Sequence, residues 1–252
     1  MPKIIILDEN KICKLYNNGL SSVKIAKKIG VSKPTILKRL KKNNIKRRKS
    51  CFERQFDFDD NVFSEFTPGS CYWAGFIAAD GNISNGTLSI ELSIKDEIQL
   101  IEFSKFIKRK NHFYYRERGG NKSCQLRIRS EQIIRDLKEN FNIVPNKTLI
   151  LKPPYKIPNH LIKYYISGYF DGDGSLGYSK NYRITIVSGN IEILEWIKQS
   201  IKNNVSVGNP KIARRKSNCY YLCFRGNRQV PIIINWMKDS KIYNLMRKNI
   251  NN

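Results

Sequence analysis

Trp73-Ala74-Gly75-Phe76-Ile77-Ala78-Ala79-Asp80-Gly81 returns near the other end of the chain as Ile166-Ser167-Gly168-Tyr169-Phe170-Asp171-Gly172-Asp173-Gly174. Each copy is a short apolar run with small residues one helical turn apart, Gly75 and Ala79 in the first, Gly168 and Gly172 in the second. An aspartate and a glycine follow each run. Residues four apart share a helix face, so the spacing predicts two helices pressed together along their small faces. Neither run approaches the roughly 20 apolar residues of a membrane span, which makes a soluble helix pair the expectation.

Asp80 and Asp173 fall where each helix should end, with Gly81 and Gly174 expected in the left-handed conformation that commonly closes a helix. A carboxylate there faces the negative end of the helix dipole, at a cost of about 0.3–1 kcal/mol. Two such groups brought to roughly 5 Å repel by about 3 kcal/mol at an effective dielectric of about 20. A divalent cation with oxygen preference, Mg²⁺ or another such as Mn²⁺, would offset this and supply a Lewis acid for phosphate chemistry. The alternative is a pair of ordinary surface aspartates after two core helices.

The 252 residues carry 46 Lys and Arg against 21 Asp and Glu, a net charge of +25, with 40% hydrophobic residues. Residues 1–50 hold 15 of the basic residues against only Asp8 and Glu9, so +13 sits on a fifth of the chain. This much charge on a chain able to fold points to a polyanion partner, above all nucleic acid. Six cysteines (Cys13, Cys51, Cys71, Cys124, Cys219, Cys223) form no CxxC pair, and with only His112 and His160 no zinc-ligand spacing assembles. They are read as small apolar residues in a reducing compartment. Ile4 to Leu7 is too short for an export signal. The expectation is a cytoplasmic or organellar protein, not secreted, with no membrane anchor.

From Asp8 the chain reads as three short helices: Asn10 to Asn17, a second from Ser21-Ser22 with Val23, Ile25, Ala26 and Ile29 inward, and a third from Lys33 to about Asn43. Gly30 suits positive φ in the turn and Ser32 suits a cap. Ile36, Leu37 and Leu40 are assigned to the apolar side of the third helix, leaving Thr35, Lys38, Arg39 and Lys42 outward. This is a helix-turn-helix pattern, whose last helix enters the major groove, and Ile25 to Leu40 resembles the resolvase type. Residues 1–50 are thus assigned to a DNA-reading domain, with Lys46-Arg47-Arg48-Lys49 suited to a phosphate backbone. Residues 51–70, where acidic residues alternate with Phe52, Phe56, Phe58, Phe63 and Phe66, are read as a linker whose aromatics pack on the next domain.

After Asp80 a short glycine-containing strand is expected, then a half-buried strand over Thr87 to Lys95. In that strand Leu88, Ile90, Leu92 and Ile94 face one side, and Thr87, Ser89, Glu91, Ser93 and Lys95 the other. A helix from about Asp96 to Lys108 follows, then a hairpin turning at Gly119-Gly120 and a helix from Glu131 to Phe141. The order returns at an offset of 93 to 94 residues, with Ile184, Ile186, Asn190, Leu194, Ile197 and Ile201 standing for Ile90, Leu92, Asp96, Leu100, Phe103 and Ile107. The fold class expected is α+β: two pseudo-symmetric αββαββα repeats, about 71–150 and 160–250 of a domain over 71–252, plus the small all-α domain.

The two nine-residue copies resemble the LAGLIDADG motif, and the order around each is similar to the repeat of that family. Tyr72-Trp73 and Pro145-Asn146-Lys147-Thr148 also look like it, whereas Ala78 stands where many members have an acid. The resemblance implies a homing endonuclease acting on double-stranded DNA as a monomeric pseudo-dimer, with a saddle of two sheets against the major groove. It implies that Asp80 and Asp173 bind divalent metal and cut both strands by hydrolysis, assisted by lysines after each repeat, for which Lys147 and Lys241 are the candidates. Ser89, Glu91, Ser93, Lys95, Arg116, Arg118, Arg127 and Arg129, with Thr87, would read DNA in the first half. Arg183, Thr185, Arg214, Arg215 and Arg225 would do so in the second. The same fold also accommodates a non-cleaving DNA-binding regulator or an RNA-splicing maturase.

Overall fold

The structure is a computed structural model and describes residues 8–18, 20–45, 56–215 and 219–238. Contacts divide the chain into two units, Met1–Gln55 and Phe56–Asn252.

In the first unit, α1 (Glu9–Asn17), α2 (Ser22–Ile29) and α3 (Lys33–Lys42) are each started by a side-chain cap, from Asp8, Ser21 and Ser32. Each cap satisfies a backbone N–H that the helix itself leaves orphaned. Gly30 takes φ 77° between α2 and α3. Ile12, Tyr16, Ile25, Ala26, Ile36 and Leu40 form the core. Val23, expected inward, is 55% exposed. It lies two residues, and so about 200°, around α2 from the buried Ile25. Leu37 is only half-buried.

The second unit holds two copies of the expected αββαββα order. The first comprises α4 (Pro68–Asp80), β1 (Gly81–Ser84), β2 (Thr87–Ser93), α5 (Glu97–Phe106), β3 (Tyr114–Arg118), β4 (Asn121–Arg129) and α6 (Glu131–Phe141). The second comprises α7 (Ile162–Asp173), β5 (Gly174–Tyr178), β6 (Tyr182–Ser188), α8 (Ile191–Asn204), β7 (Ala213–Arg214), β8 (Tyr220–Arg225) and α9 (Gln229–Lys238). Each copy forms an antiparallel sheet, in order β1-β2-β4-β3 and β5-β6-β8-β7. Residues 56–70, read as linker, belong to this unit. Phe63 is fully buried, Phe58 and Phe66 pack on the core, the Asp59 N–H donates to Ile107, and α4 already begins at Pro68.

At the centre α4 packs on α7. A helix apolar all round must be buried all round, and α4 is buried from Ser70 to Ala78. The two backbones touch: a Cβ on Gly75 would lie 2.0 Å from the Tyr165 carbonyl oxygen, and one on Gly168 would lie 1.9 Å from that of Tyr72. The register also corrects the offset between repeats. Gly81 pairs with Ile90 and Gly174 with Ile186, so Ile186 stands for Ile90 and the strands are 96 residues apart. The β5–β6 hairpin carries the extra residues, as one more strand pair and a turn of three residues in place of two. The slip of two from 94 preserves side-chain parity, so Ile184 and Ile186 are buried as expected.

Candidate functional site

Asp80 and Asp173 are the last residues of α4 and α7, and each helix runs directly into the first strand of its sheet. Gly81 and Gly174 are not left-handed. They lie at φ −77°, ψ 150° and φ −94°, ψ 162°, already extended. Glycine is needed there for space: an added Cβ would sit 2.7 Å from the Ile77 carbonyl oxygen or 2.1 Å from the Phe170 ring. The sharp exit holds each carboxylate at the junction of helix pair and sheet. A Cβ on Gly172 would lie 2.4 Å from that of Ala79 and 3.3 Å from Asp80 Oδ2, so the end of α7 lies against the end of α4. Asp80 is exposed and Asp173 half-buried.

Lys147 reaches the same place from the loop after the first repeat. Asn146 precedes it in the left-handed region at φ 56°, which asparagine tolerates through its short polar side chain. Lys147 Nζ donates to the Gly81 carbonyl at 2.5 Å and the Ala79 carbonyl at 3.4 Å, bracketing Asp80. Burial pushes its pKa below the ordinary 10.5, opposed by the charges of Asp173 and Asp80. One ammonium thus feels both carboxylates. Lys241 lies outside the described residues. Among the described residues no three His, Cys, Asp or Glu cluster as a complete metal site. The acidic pair fits Mg²⁺, which typically takes one or two carboxylates and leaves its other positions to water and phosphate oxygens.

Sequence reasoning missed a buried bridge between the repeats. Tyr72 on α4 donates to Asp171 Oδ2 on α7 at 2.6 Å, and Gln99 Nε2 donates to the Tyr72 hydroxyl at 2.6 Å. All three are almost wholly buried. The signal is Asp171, an acid within the buried stretch of α7 from Tyr165, at a place where the first repeat has Ala78. Tyr165, the counterpart of Tyr72, buries its hydroxyl with no hydrogen-bond partner among the described residues.

Strand registers place most of the expected readers on two shared faces. On the first sheet, Ser89 pairs with Arg127, Thr87 with Arg129, Ser93 with Ser123, and Ser123 with Arg116. These residues share parity with Glu91, Gln125 and Arg118, opposite the buried Leu88, Ile90, Leu92, Leu126 and Ile128. Arg116 lies 3.7 Å from Glu91, and Arg127 Nε donates to Gln125 at 2.8 Å. Lys95 is not on this face. The strand ends at Ser93, whose hydroxyl caps a 3₁₀ turn over Ile94–Asp96 that carries Lys95.

On the second sheet Arg183 pairs with Arg225 and Thr185 with Cys223, and Ser175 pairs with Thr185. With Tyr221 and Arg215 they line a concavity of about 470 Å³. Thr185 is itself buried beneath its neighbours. Arg214 lines the same space, but it pairs with Tyr220, of core-facing parity, and its guanidinium lies 5.9 Å from that ring. Adjacent residues in a strand point to opposite faces, so Arg214 and Arg215 approach the concavity differently. In the first unit Lys38 is exposed, but Arg39 and Lys42 are engaged with Glu9 of α1 at 2.7 Å and 3.3 Å, and the Thr35 hydroxyl bonds that of Ser32.

No protein-family model matches the chain, and no curated protein sequence matches it. Solved structures do. The I-LtrWI LAGLIDADG homing endonuclease bound to target DNA matches over 77% of this chain and 88% of its own, with a TM-score of 0.50 at 13% identity. The fold is that of LAGLIDADG proteins. The I-AabMI meganuclease bound to uncleaved DNA covers 74% and 88% (TM-score 0.49, 15% identity), and the N-terminal LAGLIDADG domain of DUF199/WhiA covers 75% and 87% (0.48, 14%). Within this LAGLIDADG fold the described residues contain no helix long and apolar enough to cross a membrane.

Proposed function

We propose that the chain is a site-specific endonuclease that binds a long asymmetric duplex and cuts both strands by metal-dependent hydrolysis. The observation that carries this is the meeting of Asp80, Asp173 and Lys147 where the packed helices α4 and α7 enter the two sheets. The sheet faces bearing Arg116, Arg118, Arg127, Arg129, Arg183, Arg215 and Arg225 hold the duplex, and one chain supplies both halves. Asp80 and Asp173 hold Mg²⁺ or a similar ion. Bound there, the ion supplies charge stabilisation at phosphate and an acidified water. The Lys147 ammonium, clamped by two carbonyls, sets a fixed positive charge beside the carboxylates, pre-oriented for the charge that develops on phosphate.

The fold itself supports DNA binding, and the intact acidic pair supports cutting. Purified protein incubated with a genomic DNA library and Mg²⁺ is expected to produce breaks at one long site, abolished by EDTA and by Asp80→Asn with Asp173→Asn. Undiminished cutting by that double variant would remove the aspartates from the chemistry. Specific binding without breaks under Mg²⁺ or Mn²⁺ would reassign the chain as a DNA-binding regulator.

A further inference from the structure

Among the side chains that read base edges in the major groove, the planar ones fix two hydrogen bonds in a rigid geometry, arginine to guanine and asparagine to adenine. The planar groups of α3 and its cap are Arg39 and Asn43. Both are turned to α1: Arg39 Nη1 lies 2.7 Å from Glu9 Oε1, and Asn43 Nδ2 donates to Glu9 Oε2 at 2.9 Å and to the Arg39 carbonyl at 2.9 Å. These bonds, Asn43's foremost, hold the Glu9 carboxyl below the ordinary carboxylate range, so it stays ionised and keeps its partners. The Thr35 hydroxyl is tied into the N-cap with Ser32 at 2.8 Å.

Exposed on α3 are Lys33, Lys38, Lys41 and Lys42, the last of these 3.3 Å from Glu9, with Lys24, Lys27 and Lys28 exposed on α2. Residues 20–45 contain eight basic residues and no acid. Ammonium groups on flexible stems meet phosphate as point charges, without the rigid fork by which arginine engages a base or phosphate at two points.

We propose that the N-terminal unit is a sequence-blind anchor that grips the phosphate backbone of duplex DNA through Lys33, Lys38 and Lys41, leaving target choice to the sheets. This rests on the DNA-binding reading above. The clasp on Glu9 has a double effect: it joins α1 to α3 and withdraws the two side chains best suited to base readout.

The test uses the full chain and fluorescence anisotropy, with the site selected from a library and a scrambled duplex of equal length, over a salt series. K33Q/K38Q/K41Q is expected to weaken both duplexes by the same factor, leaving their ratio unchanged. The slope of log affinity against log salt should flatten by up to about 2.7, three phosphates at about 0.9 each. K33R/K38R/K41R is expected to restore both affinities and the slope. A glutamine variant that loses more affinity for the selected site than for the scrambled one would overturn the anchor, as would one that loses affinity for neither. Either result leaves the nuclease reading intact if the wild-type chain still cuts. A wild-type chain that binds no duplex would overturn both.

Discussion

Tyr72 and Tyr165 occupy matching places in the two repeats yet meet opposite surroundings. The Tyr72 hydroxyl joins Asp171 and Gln99, whereas Tyr165 has Ala78 and Ile193 at the corresponding positions and its hydroxyl is unpartnered among the described residues. A satisfied buried hydrogen bond to a charged group contributes about 1.5–3 kcal/mol, while an unsatisfied buried polar group costs about 1–3 kcal/mol. Tyr72→Phe is therefore expected to destabilise the fold by about 2 kcal/mol. Tyr165→Phe should be neutral or stabilising by about 1 kcal/mol. Urea unfolding of both variants measures the difference. Equal losses would mean that the asymmetry has no energetic content.

At the scale of elements, the helix pair depends on two glycines whose hydrogens face carbonyl oxygens of the other helix. Gly75→Ala or Gly168→Ala places a methyl carbon at 2.0 Å or 1.9 Å from backbone that cannot rotate away. Overpacking of this kind costs about 1–3 kcal/mol where neighbours yield, and here only separation of α4 from α7 gives room. Each is expected to exceed 3 kcal/mol in urea titrations, or to prevent folding. Gly208→Ala, whose new Cβ would meet only the Gln229 side chain at 3.5 Å, should be silent.

This element was legible in the sequence because small-residue spacing and helix packing are one fact seen twice. Strand faces were legible from alternation, and a two-residue slip between repeats left parity untouched. Partnerships across elements were not. Nothing local to α3 announces that Arg39 and Asn43 turn to Glu9, some 30 residues earlier in the chain. The roles of Gly81 and Gly174 are not legible locally, because a glycine after a helix usually signals backbone freedom, whereas here it signals lack of space.

Across the whole molecule the core is rich in buried ionisable groups that fold neutral. Burial holds the hydroxyls of Tyr72, Tyr165 and Tyr169 above the ordinary 10.0, helped at Tyr72 by Asp171, at Tyr165 by Tyr169 and at Tyr169 by Asp173. It also pushes the Cys71 thiol from 9.0 to about 12. A folded pKa above the unfolded one adds stability that is complete below the unfolded value. It is lost as pH rises past that value, because the unfolded chain releases protons the fold retains. Stability should therefore be flat in these groups below pH 9.0 and fall above pH 10.0. Tyrosinate absorbance and loss of circular dichroism are expected to include a shared cooperative step. Full tyrosine ionisation with the fold intact would contradict it.

Charge is divided as unevenly as polarity. The first sheet carries Glu91 and Glu117 among its arginines, but the strands of the second contain no acidic residue, and Arg183 stands directly opposite Arg225. Like charges paired across strands oppose folding. Arg183 also lies over the bare backbone of Gly177, where a Cβ would come within 3.6 Å of its guanidinium. A duplex laid on this face relieves the repulsion, whereas Arg116 is already partly neutralised by Glu91 at 3.7 Å. Arg183→Gln with Arg225→Gln should leave the thermal midpoint of the free protein unchanged or raise it. Duplex affinity should fall about tenfold or more per arginine, as for lost base or phosphate contacts. Arg116→Gln should cost less affinity, since that side chain must first give up its carboxylate. Calorimetry and anisotropy on the same preparations decide it. If the double variant melts lower and binds as before, these arginines hold the sheet together and do not serve the duplex.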